Sequence, residues 1–281
     1  EESLEAKRTL IETLARRSAG RPFILSNSSS ILPSRIHPEC AGLHFFYPVE
    51  ITGMAEAVIQ DAPRAGIVDL VRGLASSCGV DLLIQDESAA FAANRLVLPV
   101  QAECARMLIM GVPAGAIDAA TRSDLAGIGA LSFMDAAGLD VVLPAARNYL
   151  SRMSAAEAAC HEPLTECLGA MVGAGKLGSK NGNGFLSGGP LPWPRSTTPE
   201  CDPEAFRLLL INSCASAVER GVIGPSEVDL VLSSLHGSTT TLAMAMESTG
   251  VGAIARSLRD LYRGTGLCYF SPAGIFAGGA E

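Results

Sequence analysis

The hydrophobic pattern of this chain changes period once, near residue 90, and that change limits the folds open to it. Before it, apolar residues alternate between helical spacing and short strand-like runs; after it, helical spacing persists almost to the end. In the stretch Glu2 to Arg17, Leu4, Leu10, Ile11 and Leu14 form an apolar stripe at helical spacing. Phe23-Ile24-Leu25 is a short run of buried-strand type, and Ser26-Asn27-Ser28-Ser29-Ser30 follows as a polar loop. Leu43 to Tyr47 and Ala55 to Gln60 read as strands, Arg64 to Cys78 as a helix, and Val80 to Ile84 as a further strand. Such alternation predicts a mostly three-layer α/β unit, here represented by its later part.

From Ala92 the pattern predicts a long helix ending at Gly111, where Pro113 marks a stop and restart. Further helices are expected over Gly115–Thr121, Phe133–Tyr149 and Ala155–Val172, and the Pro-, Gly- and Ser-rich segment from Ser187 to Pro203 reads as a linker. Beyond it a related pattern returns. Ala102-Glu103-Cys104-Ala105 leads to Gly111 and Ile117-Asp118, much as Ser213-Cys214-Ala215 leads to Gly221 and Val228-Asp229. This is a weak internal repeat of one helical unit. The expected division is residues 1–86 α/β, 87–186 a first helical domain, 187–203 the linker and 204–281 a second helical domain. Because the chain opens on Glu1, directly in a helical stretch, it reads as cut from something longer.

Composition narrows the function classes. Over 281 residues, 48% are hydrophobic and 18% charged, which excludes a disordered polyelectrolyte. A formal charge of -8 argues against a nucleic-acid-binding face, and no apolar run has the length of a membrane span. A cytoplasmic protein is the expectation. The eight cysteines form no CxxC pair and mostly lie in apolar stretches, so they read as reduced core thiols. Cys160-His161 has no second pair at ligand spacing, and no metal site is expected.

Gly173-Ala174-Gly175-Lys176-Leu177-Gly178 matches GxGxxG, but the residues before it are spaced as an amphipathic helix. A dinucleotide-binding turn must instead leave a strand and open a helix, so the match is read as false. His44 is the sharper feature. It sits in the apolar run Gly42-Leu43-His44-Phe45-Phe46, where a lone histidine can be an ordinary core residue. Glu56 is the one acidic residue of the apolar stretch Met54 to Gln60, and its buried charge calls for a partner. A carboxylate on a neighbouring strand could hold the imidazole's tautomer and stabilise its protonated form, or the two could form a plain buried ion pair. Ser29 could bind a ligand at a strand's carboxyl end or cap the turn that follows. Asn94 could serve a site or cap a helix.

Together these segments resemble the 3-hydroxyacyl-CoA dehydrogenase family. The likeness runs through Ser26 to Ser30, Gly42-Leu43-His44-Phe45-Phe46-Tyr47-Pro48-Val49 and Ala55-Glu56-Ala57-Val58. It continues at Phe91-Ala92-Ala93-Asn94-Arg95-Leu96, Ile117-Asp118, Asp135 to Asp140 and Gly178 to Phe185, and faintly through the second helical region. The resemblance implies an α/β partial Rossmann-type unit followed by two all-α helical domains like the carboxyl-terminal domain of 6-phosphogluconate dehydrogenase. The amino-terminal, glycine-loop half of the NAD-binding domain would be missing. It implies NAD as cofactor and an acyl-CoA as substrate, with reversible oxidation of L-3-hydroxyacyl-CoA to 3-ketoacyl-CoA in fatty-acid β-oxidation or related metabolism. His44 resembles the catalytic base, Glu56 its carboxylate partner, Ser29 the hydroxyl near the C3 oxygen and nicotinamide, and Asn94 the asparagine that binds the acyl substrate. Glu2, Lys7, Ser29, Tyr47 and Lys180 match positions on the nicotinamide side of the cofactor. A homodimer, or a pseudo-dimer of the two helical domains, is also implied.

Four places depart from the family pattern. Tyr47 stands for an asparagine, Ala89-Ala90 for Pro-Gly, Ala130-Leu131 for Pro-Phe, and Leu186 for an aromatic residue. Tyr47 and the missing cofactor loop motivate a second reading, a catalytically decayed acyl-CoA-binding or assembly module. A dehydrogenase of non-CoA hydroxy acids would be a third.

Overall fold

The computed structural model describes every residue except 1–2, 19, 47–48, 125–126, 194–200, 237–240 and 280–281. Glu2 and Tyr47, both proposed from the resemblance, thus lie outside the described residues. Two compact units result, residues 1–94 and 95–281.

The first unit begins with α1 (Leu4–Arg17), capped by Ser3, whose side chain accepts the Ala6 N–H. Then come β1 (Ile24–Ser26), α2 (Pro33–Ile36), β2 (Cys40–Phe45), α3 (Val49–Thr52), β3 (Met54–Ile59), α4 (Ile67–Cys78) and β4 (Asp81–Asp86). The sheet has the order β1-β2-β3-β4, with β1 parallel to β2, β2 antiparallel to β3 and β3 parallel to β4.

Strand alternation sorts the sheet's two faces. Ala41, Leu43, Ala55, Ala57 and Ile59 pack against Ile67 and Val71 of α4. The opposite face carries Cys40, which packs with Ile31 and Ile36, and also His44 and Glu56. The apolar stripe of α1 is less covered than its pattern predicts. No α1 residue is fully buried, and Leu10 and Leu14 are 59% and 50% exposed. Leu4 and Ile11 do pack beside Ile31 and Ile36, but Leu10 and Leu14 line an open cavity of about 810 Å³ along β1. β1, which borders this cavity, is half-buried and begins one residue later than the expected run.

The helical unit continues α5 (Ala92–Ile109) and adds α6 (Ala114–Thr121), α7 (Ala130–Ala137), α8 (Leu139–Leu150) and α9 (Ala155–Gly173). Further along the chain come α10 (Pro203–Glu219), α11 (Pro225–His236), α12 (Leu242–Thr249) and α13 (Val251–Thr265), followed by short 3-10 turns at Cys268–Phe270 and Gly274–Gly279. The single helix expected over Phe133–Tyr149 is two. Gly138, at φ 92 and ψ 121, breaks it, a backbone state that only glycine adopts without strain. Apolar spacing runs on across the break and hides it from periodicity.

The internal repeat has a counterpart in geometry. Gly111 and Gly221 both close their helices in the left-handed region, at φ 89 and 64, and the Val112 and Val222 N–H groups donate back to Met107 and Ala217. Asp118 Oδ1 accepts the Ser132 N–H at 2.8 Å, and Asp229 Oδ1 accepts the Leu242 N–H at 2.8 Å. Gly250, at φ 84, separates α12 from α13 as Gly138 separates α7 from α8. The two copies part company afterwards. The first continues into the 19-residue α9, the second into the short 3-10 turns.

Candidate active site

His44 and Glu56 are directly opposed residues of the antiparallel pair β2–β3. Opposed residues project to the same face, so this register alone brings the two side chains together. His44 Nδ1 lies 3.2 Å from Glu56 Oε2. A carboxylate can only accept, so this contact puts the hydrogen on Nδ1 and leaves Nε2 as the basic nitrogen. The Glu56 side chain is fully buried and that of His44 is 12% exposed. The imidazole is held edge-on between two aromatic rings, with centroids 5.5 Å from Phe46 and 5.9 Å from Phe91.

The second carboxylate oxygen is equally occupied. Glu56 Oε1 accepts the Gln85 Nε2–H at 3.0 Å and the Ala93 N–H at 2.8 Å. Ala93 belongs to the first turn of α5, where backbone donors have no partner within the helix and the dipole favours an anion. Gln85 Oε1 takes the neighbouring Ala92 N–H at 3.0 Å. Sequence reasoning missed Gln85, which lies one residue beyond the expected strand.

The turn into α5 is built without the family's Pro-Gly. Asp86 Oδ1 accepts from the Ser88 N–H, the Ser88 hydroxyl and the Ala89 N–H, which holds the Asp86 carboxyl below its ordinary range. An aspartate-centred turn thereby presents Phe91, Ala92 and Ala93 to the sheet.

The serine-rich loop leaves β1 on the side of Asn94. Asn94 Nδ2 donates to the Ser29 carbonyl at 3.3 Å, and Asn27 Oδ1 accepts the Phe45 N–H at 3.1 Å. Ser28 supports the local turn by accepting the Ile31 N–H. Ser29 is half-buried; α2 starts at Pro33 with no side-chain cap. Of the residues singled out from sequence, Ser29, His44, Glu56 and Asn94 thus belong to one connected part of the first unit. Lys7 lines the cavity beside β1, together with Ser26 and Asn27, whereas His44 and Glu56 do not. Lys180 lies in the helical unit, ion-paired to Asp140.

The GxGxxG match is not a strand-to-helix turn. Gly173 is the last residue of α9, and Gly178 forms an isolated bridge with Asn183. That segment has a structural role instead. Asp135 accepts the Phe185 and Leu186 N–H groups at 2.9 and 3.1 Å, and burial pushes its carboxyl up. A Cβ on Gly178 or Gly184 would come within 2.2 Å of Asp135 atoms, so both positions require glycine.

Comparison with known proteins supplies the family. The family model described as 3-hydroxyacyl-CoA dehydrogenase, NAD binding domain matches residues 1–83, and that of the same family's C-terminal domain matches residues 91–188. The chain belongs to the 3-hydroxyacyl-CoA dehydrogenase family of oxidoreductases, whose cofactor is NAD. The crystal structure of 3-hydroxybutyryl-CoA dehydrogenase from Escherichia coli K12 is similar in fold over 99% of this chain and 79% of that one, with a TM-score of 0.74 and 18% identity. FadB2 of M. tuberculosis is 26% identical over 67% of this chain and 68% of its own, with a TM-score of 0.57. (S)-3-hydroxybutyryl-CoA dehydrogenase PaaH1 from Ralstonia eutropha shares the fold at 24% identity and a TM-score of 0.54, over 70% of this chain and 69% of that one. Among the described residues no helix is long and apolar enough to cross a membrane.

Proposed function

We propose that the natural protein catalyses the reversible, NAD-dependent oxidation of an L-3-hydroxyacyl-CoA to the 3-ketoacyl-CoA, as a cytoplasmic enzyme of fatty-acid β-oxidation or related acyl-CoA metabolism. The observation that carries this reading is the His44–Glu56 contact at 3.2 Å, with the far carboxylate oxygen held by two neutral donors. In that setting an imidazole can take a proton at Nε2 and have the resulting charge compensated from Nδ1. His44 removes the proton of the 3-hydroxyl as the C3 hydrogen departs, and returns it in the reverse direction. Glu56 fixes the ring and balances its transient charge. Ser29 and Asn94, joined through the Ser29 carbonyl, orient the substrate's oxygen and acyl portion.

NAD, when bound, supplies the hydride acceptor. The chain's donors suit its nicotinamide end. Lys7, Ser26 and Asn27 line a cavity of about 810 Å³ beside β1 that does not itself include Ser29, His44 or Glu56, and Asn27 ties that rim to β2 by accepting the Phe45 N–H. We assign Lys7 and Ser29 to that end, with Glu2, Tyr47 and Lys180 as further family-matched positions. The cytoplasmic reading is supported by eight cysteines that are all free thiols. The matched geometry of the two helical copies supports a pseudo-dimer within one chain, which sedimentation would test by returning a monomer.

The test is NADH consumption by the full natural polypeptide with acetoacetyl-CoA, longer 3-ketoacyl-CoAs and free acetoacetate. Turnover of the thioesters, with little of the free acid, is expected. Inactivity toward every thioester would favour a decayed binding module, and preference for the free acid would favour a hydroxy-acid dehydrogenase.

A further inference from the structure

The buried amide of Gln85 has no place in the chemistry described so far, yet it touches the group that orients His44. Its side chain lies between two partners of opposite hydrogen-bonding character. On one side is Glu56 Oε1, an acceptor 3.0 Å from Nε2; on the other is the Ala92 N–H, a donor 3.0 Å from Oε1. Only a side chain with one donor and one acceptor satisfies both at once. A reversed amide would set its carbonyl against the carboxylate and its NH2 against an N–H, so the network fixes its orientation. The residue is 7% exposed, and water cannot readily replace it. At the register of the sheet, Gln85 is the β4 partner of Val58, and Leu83 is the partner of Glu56. The amide therefore reaches the carboxylate diagonally and braces it against the first turn of α5.

We propose that Gln85 is a positioning residue for the His44–Glu56 pair. It fixes the plane of the carboxylate so that one oxygen faces the imidazole while the other stays bound to Gln85 and Ala93. Without it, Glu56 Oε1 keeps only the Ala93 N–H, and the carboxylate can rotate about its last bond. Loss of aim at Nδ1 slows proton transfer while leaving thioester binding intact, because Gln85 has no contact with the proposed substrate residues Ser29 and Asn94 among its described hydrogen bonds. A plain helix-capping role would change stability alone.

This inference rests on the proposed dehydrogenase reading for its kinetic arm but not for its spectroscopic one. In the full natural polypeptide, Gln85→Met fills the same space without polar atoms. Its kcat should fall roughly tenfold or more, with KM for acetoacetyl-CoA within about twofold. Gln85→Glu keeps the acceptor for the Ala92 N–H and can donate to Glu56 only while protonated. Its kcat should approach the wild-type value at the acidic end of the profile and fall progressively as pH rises. A correctly folded Gln85→Met whose kcat and pH profile superimpose on the wild type would overturn the proposal. If Gln85→Met fails to fold, a Gln85→Glu profile parallel to the wild type overturns it equally. If the wild type turns over no substrate, the histidine-labelled NMR spectrum still decides, with the His44 signal assigned by its loss in His44→Ala. The His44 Nδ1 proton signal should move or broaden in either variant, and an unchanged signal would sink the proposal.

Discussion

Two buried glutamates, one in each unit, solve the same electrostatic problem in different ways. Glu56 is fully buried and is held by an amide, a backbone N–H and an imidazole. Glu103 is 3% exposed and is held by Arg106 through two bonds of 2.8 and 2.6 Å, and by the Tyr269 hydroxyl at 2.8 Å. The second arrangement carries a permanent countercharge in a forked geometry, and it acts back on its partners. The pair with Glu103 raises the Arg106 guanidinium, while burial, then Glu103, pushes the Tyr269 hydroxyl up. Both partners of Glu103 are thereby held in their protonated forms. At Glu56 the donors are neutral, so its charge is balanced only when His44 gains a proton. A buried carboxylate closed by a guanidinium fastens a fold; one closed by an imidazole is equipped for proton transfer.

Substitutions sharpen this contrast. The largest effect is expected at the imidazole. His44→Ala should reduce kcat for acetoacetyl-CoA by about a thousandfold with an unchanged melting temperature, measured by NADH consumption and calorimetry. Glu103→Gln should do the converse. Removing one partner of a buried pair strands Arg106, and equilibrium urea unfolding should report a loss of about 3 kcal/mol with turnover per folded molecule retained. Tyr269→Phe removes one hydroxyl from the same network and should cost about 1–2 kcal/mol in the same assay.

The smallest effect concerns a carboxylate at the surface. Glu157 closes the capping box of α9 with Ser154 and pairs with Arg220 at 3.0 Å, and these contacts hold it below its ordinary range. A lowered carboxyl stabilises the folded state above its unfolded-chain value, and that contribution disappears as pH falls through the folded value. Glutamine can still close the capping box, and solvent screens the half-exposed charge, so Glu157→Gln should lose only about 0.5 kcal/mol at neutral pH, and the gap to the wild type should close on acidification.

How much of this was legible in the sequence follows from which forces leave a local trace. His44 and Glu56 could be paired because a lone charged residue in an apolar strand needs a partner, and a neighbouring strand was the nearest place for one. Gln85 could not, since a polar residue at a strand's end looks like the start of a loop. Its role depends on the return of α5, which periodicity does not encode. The apolar stripe of α1 was legible as a pattern but not as burial, because coverage depends on what lies beyond it. The break at Gly138 was masked by continuous apolar spacing on both sides, and the Gly178 and Gly184 requirements by Asp135 lying more than forty residues away. The GxGxxG match at 173–178 is legible as no cofactor turn, since the residues before it have helical spacing and form α9.

The most direct test of the account is the kcat of Glu56→Gln set against that of Glu103→Gln, each measured on the fraction shown to be folded. The amide at 56 can still meet Gln85 or Ala93 but cannot balance an imidazolium. The account predicts a loss of about a hundredfold for Glu56→Gln and wild-type turnover for folded Glu103→Gln. Equal kcat values in the two variants would contradict it, because the carboxylate beside His44 would then be one more structural ion.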